Sequence, residues 1–440
     1  MSNTNTAAQN DAAKANVTPT EKIPTEREIR ENLNKIGLKN IDIPFMYEFM
    51  SIPSYSRFEF RIATYIILWA KKNGVNYTMD KKGNIYLTKG ELSEGEFYPC
   101  MTAHMDTVQD KSKPFILAGA DLPLKTRVMK SKTSDEFIHE VYINGQGIGA
   151  DDKTGVFISL SIMSKVDKIK AAFFVEEEIG MKGSEELDPT FFDDVAYVVG
   201  WDSPDLNRAA WKCSGTTLFS RDFYENGLKP VVEKWGMTDK SFHSEPFTDV
   251  VKIRNKTNVV CSNFGNGGYN AHATNEYIVV EHVDHAIGMG LDIVNTIGNK
   301  KRFTIEKSSY SGYGYNSYSS VDNSDDEKYL SKLFNEFTYS NNYQGGTYNG
   351  GTSGKSNTTN NTKNNSNTNA SNGLDEEVFK YMVETYDTYV NGLKEDISKE
   401  CDVIVDALKD KFNEAGVDFN TFGINIKEAL LKVFNKEITF

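Results

Sequence analysis

GIGADDKTGV, residues 147–156, sets two aspartates side by side at the end of an apolar, glycine-rich approach. Adjacent carboxylates repel, and neither helix nor strand propensity asks for the pair. One reading is a helix start, with acid facing the positive end of the helix dipole. The other is a metal site. The segments around it bear on the choice. FYPCMTAHMD before it, and KAAFFVEEE and VAYVVGWD after it, are short apolar runs ending in polar or acidic groups. Between them DKTGVFISLSIMSKV has the spacing of an amphipathic helix. Strands and helices alternate in this way in α/β domains. The expected fold class is therefore α/β, a mixed, mostly parallel twisted sheet with helices on both faces. Ligands collect at the carboxyl ends of strands in such sheets. His104, Asp106, Glu177, Glu178 and Asp202 all fall there.

Outward from this centre, NYTMD and NIYLTKG, joined by Lys82-Gly83-Asn84, predict a hairpin. Ile62, Tyr65, Ile66 and Trp69 predict a helix closed by Gly74, and EYIVVEHVDHAIGMGLDIVNTIGN predicts another. Residues 1–26 are polar and read as a disordered arm; 27–303 form the catalytic domain expected below. Residues 304–373 are rich in Ser, Asn, Gly, Thr and Tyr and read as a flexible linker, interrupted by one apolar stretch, KYLSKLFNEF. From Leu374 to the end, Met382, Tyr386, Tyr389, Leu393, Ile397, Ile404 and Leu408 mark a C-terminal helical module. Its stripe must pack on something: itself, the domain, or another chain. Because the linker is long, a cut near Lys300 is expected to leave the catalytic domain working.

The 440 residues carry a net charge of −13, which argues against nucleic acid or an anionic membrane as partner. The four cysteines lie far apart, without a CxxC pair, and support neither a disulfide framework nor a cysteine zinc site. The sequence shows no apolar leader and no membrane-length stretch. A cytoplasmic setting is the expectation.

Six acidic or histidine clusters follow in chain order: AHMD, GADDKTG, VEEEIG, GWDSPD, PFTDV and GGYNAHATNE. Each alone has a bland reading, as a helix cap, a solvated face or a surface histidine. Together they would put several unpaired acids at one sheet edge, where carboxylates repel unless cations neutralise them. Mixed histidine and carboxylate donors suit zinc, with manganese or cobalt as alternatives, and the lack of cysteine fits a catalytic site.

The order His-x-Asp, Gly-Ala-Asp-Asp-Lys, Glu-Glu-Ile-Gly, Asp, His resembles the dinuclear-zinc exopeptidases, such as peptidase T, carboxypeptidase G and the bacterial leucyl aminopeptidases. The resemblance runs from about Ile41 to Gly298 and includes FMSIPSYSRFEF and DKKGNIY. It implies two divalent metal ions. His104 and Asp202 would bind one and Glu178 and His272 the other, with Asp151 bridging them. Asp106 would orient His104, and Glu177 would be the general base. In that family the peptide bond after the bridging aspartate is typically cis. EEE leaves the register open, and the match to Glu-Glu-Ile-Gly favours Glu177 and Glu178 over Glu176. Asp249 matches a Thr-Asp whose role is less defined. Family members with a lid or dimerisation domain carry it between the last two ligand segments. Here His272 follows Asp202 by only 70 residues (272 − 202), too few for a lid of roughly a hundred residues plus core strands. The single-domain aminopeptidase branch is the better match.

The function so implied is a metal-dependent exopeptidase, an aminopeptidase acting on short peptides. A carboxypeptidase or a deacylating amidohydrolase is the alternative on the same fold, with Arg208, Arg221 or Arg254 as the carboxylate anchor. The alternative of another class is a non-catalytic assembly protein, self-associating or holding a protein partner through its C-terminal helices.

Overall fold

The computed structural model describes Leu33 and residues 36–108, 121–131, 136–305 and 325–335. The N-terminal arm to residue 26, most of the linker stretch and the C-terminal helices lie outside the described residues.

The hairpin forms as its turn chemistry dictates. Strands β1 (Asn76–Met79) and β2 (Ile85–Lys89) pair antiparallel, with Met79 opposite Ile85. Asp80 Oδ1 accepts the N–H groups of Lys82, Gly83 and Asn84, closing the turn. Helix α1 (Ile43–Met50) starts where Asp42 accepts the Phe45 N–H. Helix α2 (Phe60–Lys72) stops just before Gly74, whose φ of 64° ends the turn without Cβ strain.

Four strands form the parallel centre of the large sheet in the order β6 (Ile169–Phe174), β3 (Tyr98–His104), β7 (Val195–Ser203), β11 (Cys261–Gly265). Antiparallel neighbours flank it: β2 beside β6, and β8 (Ala209–Cys213) beside β11. Beyond β8, β9 (Thr216–Thr217) pairs antiparallel and β10 (Phe242–Glu245) parallel. The sheet is mixed with a parallel core, as expected. All seven residues of β3 are buried, because both faces are covered; such strands read as continuous apolar runs rather than alternating ones.

Strand β7 shows the two covers. A β-carbon at Gly200 would meet Val250 Cγ1 of α4 (Asp249–Thr257) at 2.8 Å. The next residue, Trp201, points to the other face, where its ring lies against Gly290 of α5 (Val280–Ile297). Helix α3 (Ala150–Lys165) departs from the amphipathic expectation, since residues 152–163 are all buried. It packs on β3 and β7 and is itself covered by α5 and α1. A helix with protein on both sides has no solvent face to keep polar.

Two features were not anticipated. A second, antiparallel sheet runs β12 (Gly268–Tyr269), β13 (Tyr277–Val279), β5 (Phe137–Tyr142), β4 (Lys125–Lys130). The β12–β13 connection carries His272, and the stacked rings of Tyr269 and Tyr277, 5.2 Å apart, brace its base. The apolar stretch within the linker forms helix α6 (Asp325–Asn335), with Leu330 and Phe334 buried against the domain. Phe303 and Ile305 are buried as well.

Candidate metal centre

Each acidic cluster reaches the sheet edge on a different element. His104 is the last residue of β3, and Asp202 lies at the end of β7. Glu177 and Glu178 follow β6, Asp151 stands in the first turn of α3, and His272 sits in the small sheet's loop at a φ of 64°. The structure brings all of them together. Asp151 lies between the two histidines: its Oδ1 is 3.1 Å from His104 Nε2 and its Oδ2 3.2 Å from His272 Nε2. Asp202 Oδ1 is 3.5 Å from His104 Nε2, and Glu178 Oε1 is 2.8 Å from His272 Nε2. The two carboxylate oxygens of Asp151 thus face two separate donor groups. Potential ligand atoms of His104, Asp151 and Glu178 lie within 4.8 Å of one another.

Asp106 ties the strand ends to one another. It approaches His104 Nδ1 through both its carbonyl, at 2.9 Å, and its carboxylate, at 3.5 Å. The same carboxylate accepts the N–H of Glu177 and of Glu178 and the Ser56 hydroxyl. One buried group therefore orients the first histidine and the loop carrying both glutamates. Replacing it by Asn leaves an amide that cannot accept on both atoms. Asp106→Asn is expected to weaken metal binding about 10–100-fold, read by competition with a chelator of known affinity.

The EEE register is set by what each glutamate touches. Glu176, at a φ of 53°, turns away from the cluster and pairs with Lys82 at 3.2 Å and Arg57 at 3.5 Å. Glu178 is engaged with His272. Glu177 lines the cavity with its Oε2 3.9 Å from His104 Nε2. The peptide bond between Asp151 and Asp152 is cis. Asp152 also comes within ligand distance of His104 and Asp202. Its Oδ1 accepts the Gly155 N–H and the Asn266 side-chain N–H, which ties that oxygen to the turn, while its Oδ2 is buried without a hydrogen-bond partner among the described residues. A β-carbon at position 155 would run into that carboxylate, which accounts for the glycine.

The charges are unbalanced without cations. Burial pushes Glu177 up to about 10, helped by Asp202, Asp249 and Glu178. Burial likewise takes Glu178 to about 7, against the hydrogen bond from His272. Burial and the Asp151 charge take Asp202 to about 6. Burial opposes the charged form of Asp151, yet its bonds to His104 and His272 hold it below the usual carboxylate range. Hydrogen bonds to Asp151 and Glu178 lift His272 to about 11. The oxygen and imidazole donors gathered here suit divalent cations.

Over 182 residues the chain is 24% identical to the cytosol non-specific dipeptidase of Escherichia coli (strain K12), covering 40% of this chain and 35% of that protein. The resemblance to the zinc exopeptidases stands. The chain spans about a third of the length of that relative, and no protein-family model matches it. Among solved structures, the aminopeptidase PepT of Bacillus cereus superposes with a TM-score of 0.46 at 15% identity, over 58% of this chain and 97% of that one. A tripeptidase of Staphylococcus aureus gives 0.44 at 14% identity, over 57% and 96%. The TET1 peptidase of Pyrococcus horikoshii gives 0.41 at 16%, over 57% and 98%.

The site uses residues to which no role was assigned from sequence. Buried Glu276 accepts the N–H groups of Gly149 and Asp151, fixing the backbone that presents the aspartate. Gly147 makes room for it, since a β-carbon there would lie 2.8 Å from Glu276 Oε2. The signal was on view in ATNE, but no spacing rule connects that glutamate to a turn 125 residues earlier. Asn263 Oδ1 accepts the Asp202 N–H at 2.9 Å. Asp249 is buried behind the cluster, and burial pushes it up to about 7. Of the three arginines named above, only Arg208 lines the cavity; Arg254 is buried and donates to the Thr217 carbonyl, while Arg221 stacks on Tyr329.

Proposed function

We propose that the chain is a metal-dependent exopeptidase, an aminopeptidase that hydrolyses short peptides. The observation that carries this reading is Asp151 held between His104 and His272, with Glu177 beside them on a cavity of about 520 Å³. His104, Asp202 and Asp151 would hold one divalent cation, and Asp151, Glu178 and His272 the other. Zinc suits these donors, with manganese or cobalt as alternatives. When bound, such a pair supplies Lewis-acid polarisation of the scissile carbonyl and of the attacking water. Glu177 takes the proton from that water and returns it to the leaving amine, base and then acid. Asp106 keeps the imidazole and both glutamates in register while this happens. The cavity side chains seat the substrate and exclude bulk water.

A cytoplasmic setting accords with the free thiols at Cys100, Cys213 and Cys261, and no described helix is long and apolar enough to cross a membrane. Self-association or a protein partner through the C-terminal helices belongs to the same reading. Arg208 favours a second reading, as carboxypeptidase or amidohydrolase, because its charge faces the cavity. Its Nε is already bound to Glu245 Oε1 at 2.7 Å, which leaves less of it for a substrate carboxylate.

The test is a panel of peptides with free, acetylated or amidated ends, assayed with and without zinc, manganese or cobalt. Hydrolysis should require the metal and a free amino end, and should tolerate an amidated carboxyl end. Metal-dependent cleavage of N-acetylated substrates alone would favour the second reading, and no cleavage at all would reject both.

A further inference from the structure

The cavity beside the histidine and carboxylate cluster is lined in part by apolar groups: Pro204, Phe242, Pro246, Phe247 and Phe334. Four of these belong to the domain. Phe334 comes from α6, reached through the Ser/Asn-rich segment. The helix is held at several points along its length. Asp326 accepts the Arg221 N–H, Glu327 pairs with Lys212, and Tyr329 donates to Glu225. Leu330 and Phe334 are at most 1% exposed, so both are fully packed against the domain. Phe334 stacks on Phe242 with ring centroids 4.8 Å apart and meets Tyr224 edge-on at 5.0 Å.

Phe247, by contrast, is 52% exposed. A buried aromatic pair and a half-exposed ring thus line the same cavity. We propose that α6 completes the substrate cavity, and that Phe334 with Phe242 forms the floor limiting the size of the substrate side chain it takes. The ligand class is a peptide or amino-acid derivative with an apolar side chain, which rests on the exopeptidase reading for its reacting group. The linker stretch then supplies specificity as well as reach. A chain cut near Lys300 would lose Phe303, Ile305 and α6 together, so the shortest chain with a whole cavity extends past residue 335.

The test uses the full chain carrying Phe334→Ala, with Phe334→Leu as a milder variant that keeps apolar packing. Binding of phenylalaninamide and alaninamide is measured by calorimetry, and kcat/KM is measured on Phe- and Ala-initiated dipeptides. Deepening the floor should raise the ratio of phenylalanine to alanine ligand about tenfold in Phe334→Ala, and less in Phe334→Leu. A purely structural role for the helix would lower both ligands together and leave the ratio where it was. An unmoved ratio in both variants overturns the proposal. A shifted binding ratio in a protein that cleaves no peptide would uphold this floor while rejecting the exopeptidase reading.

Discussion

Glu177→Gln is expected to lower kcat about 10²–10⁴-fold while the protein keeps its full complement of metal. The substitution is nearly isosteric, so packing around the cavity is preserved and only the proton acceptor is lost. The neighbouring glutamate should behave in the opposite way. Glu178 lies 2.8 Å from His272, in the donor group on the Oδ2 side of Asp151. Glu178→Gln and His272→Ala should therefore each weaken one metal and lose activity through that loss. Glu177 is 3.9 Å from His104 and pushed up to about 10 by burial and by the acids around it. Two cations beside it would lower that value and favour the carboxylate form that takes the proton. The experiment is metal analysis and steady-state kinetics on the three variants side by side. Metal loss in Glu177→Gln with metal retained in Glu178→Gln would exchange the two roles.

The parallel centre of the sheet was legible because its strands are covered on both faces. KAAFFV and VAYVVGW can be little else than buried strands between glycine or charged ends. The donor cluster was legible for a related reason, since a chain rarely ends several apolar strands in acid without a use for them. What escaped was set by distant contacts. Val128 and Met129 in β4 are 37% and 41% exposed, so the small sheet lacks the alternating apolar pattern by which a strand is recognised. Helix α3 read as amphipathic, yet Ser159 and Ser161 are both buried, because the helix lies between the sheet and helices α5 and α1. KYLSKLFNEF was read as a break in a linker. Its place is set by distant partners, since Phe334 packs among the rings of Trp211, Phe219, Tyr224 and Phe242. Glu276 escaped for the simplest reason, because its partners are main-chain N–H groups that carry no sequence mark.

Asp151→Asn should cost both metals at once, which no other single ligand substitution should do. His104 and Asp202 meet on one side of this carboxylate and His272 and Glu178 on the other, each side approached by a different oxygen. An asparagine keeps the shape but has one oxygen and one NH₂ group, and an NH₂ group directed at a cation repels it. One side therefore loses a ligand outright, and the other exchanges a charged oxygen for a neutral one. The negative charge that helps two cations sit close together also disappears, so their mutual repulsion is no longer offset. Metal bound per chain, measured after equilibration against a chelator that leaves the wild-type protein loaded, should fall from two to near zero. His272→Ala under the same conditions should retain one metal. Activity of Asp151→Asn should be no higher than that of the metal-free wild-type chain. If Asp151→Asn instead held one metal as tightly as the wild-type chain does, its two oxygens would not serve two cations. The paired histidines would then have to be explained as a hydrogen-bonded cluster with a single metal at most.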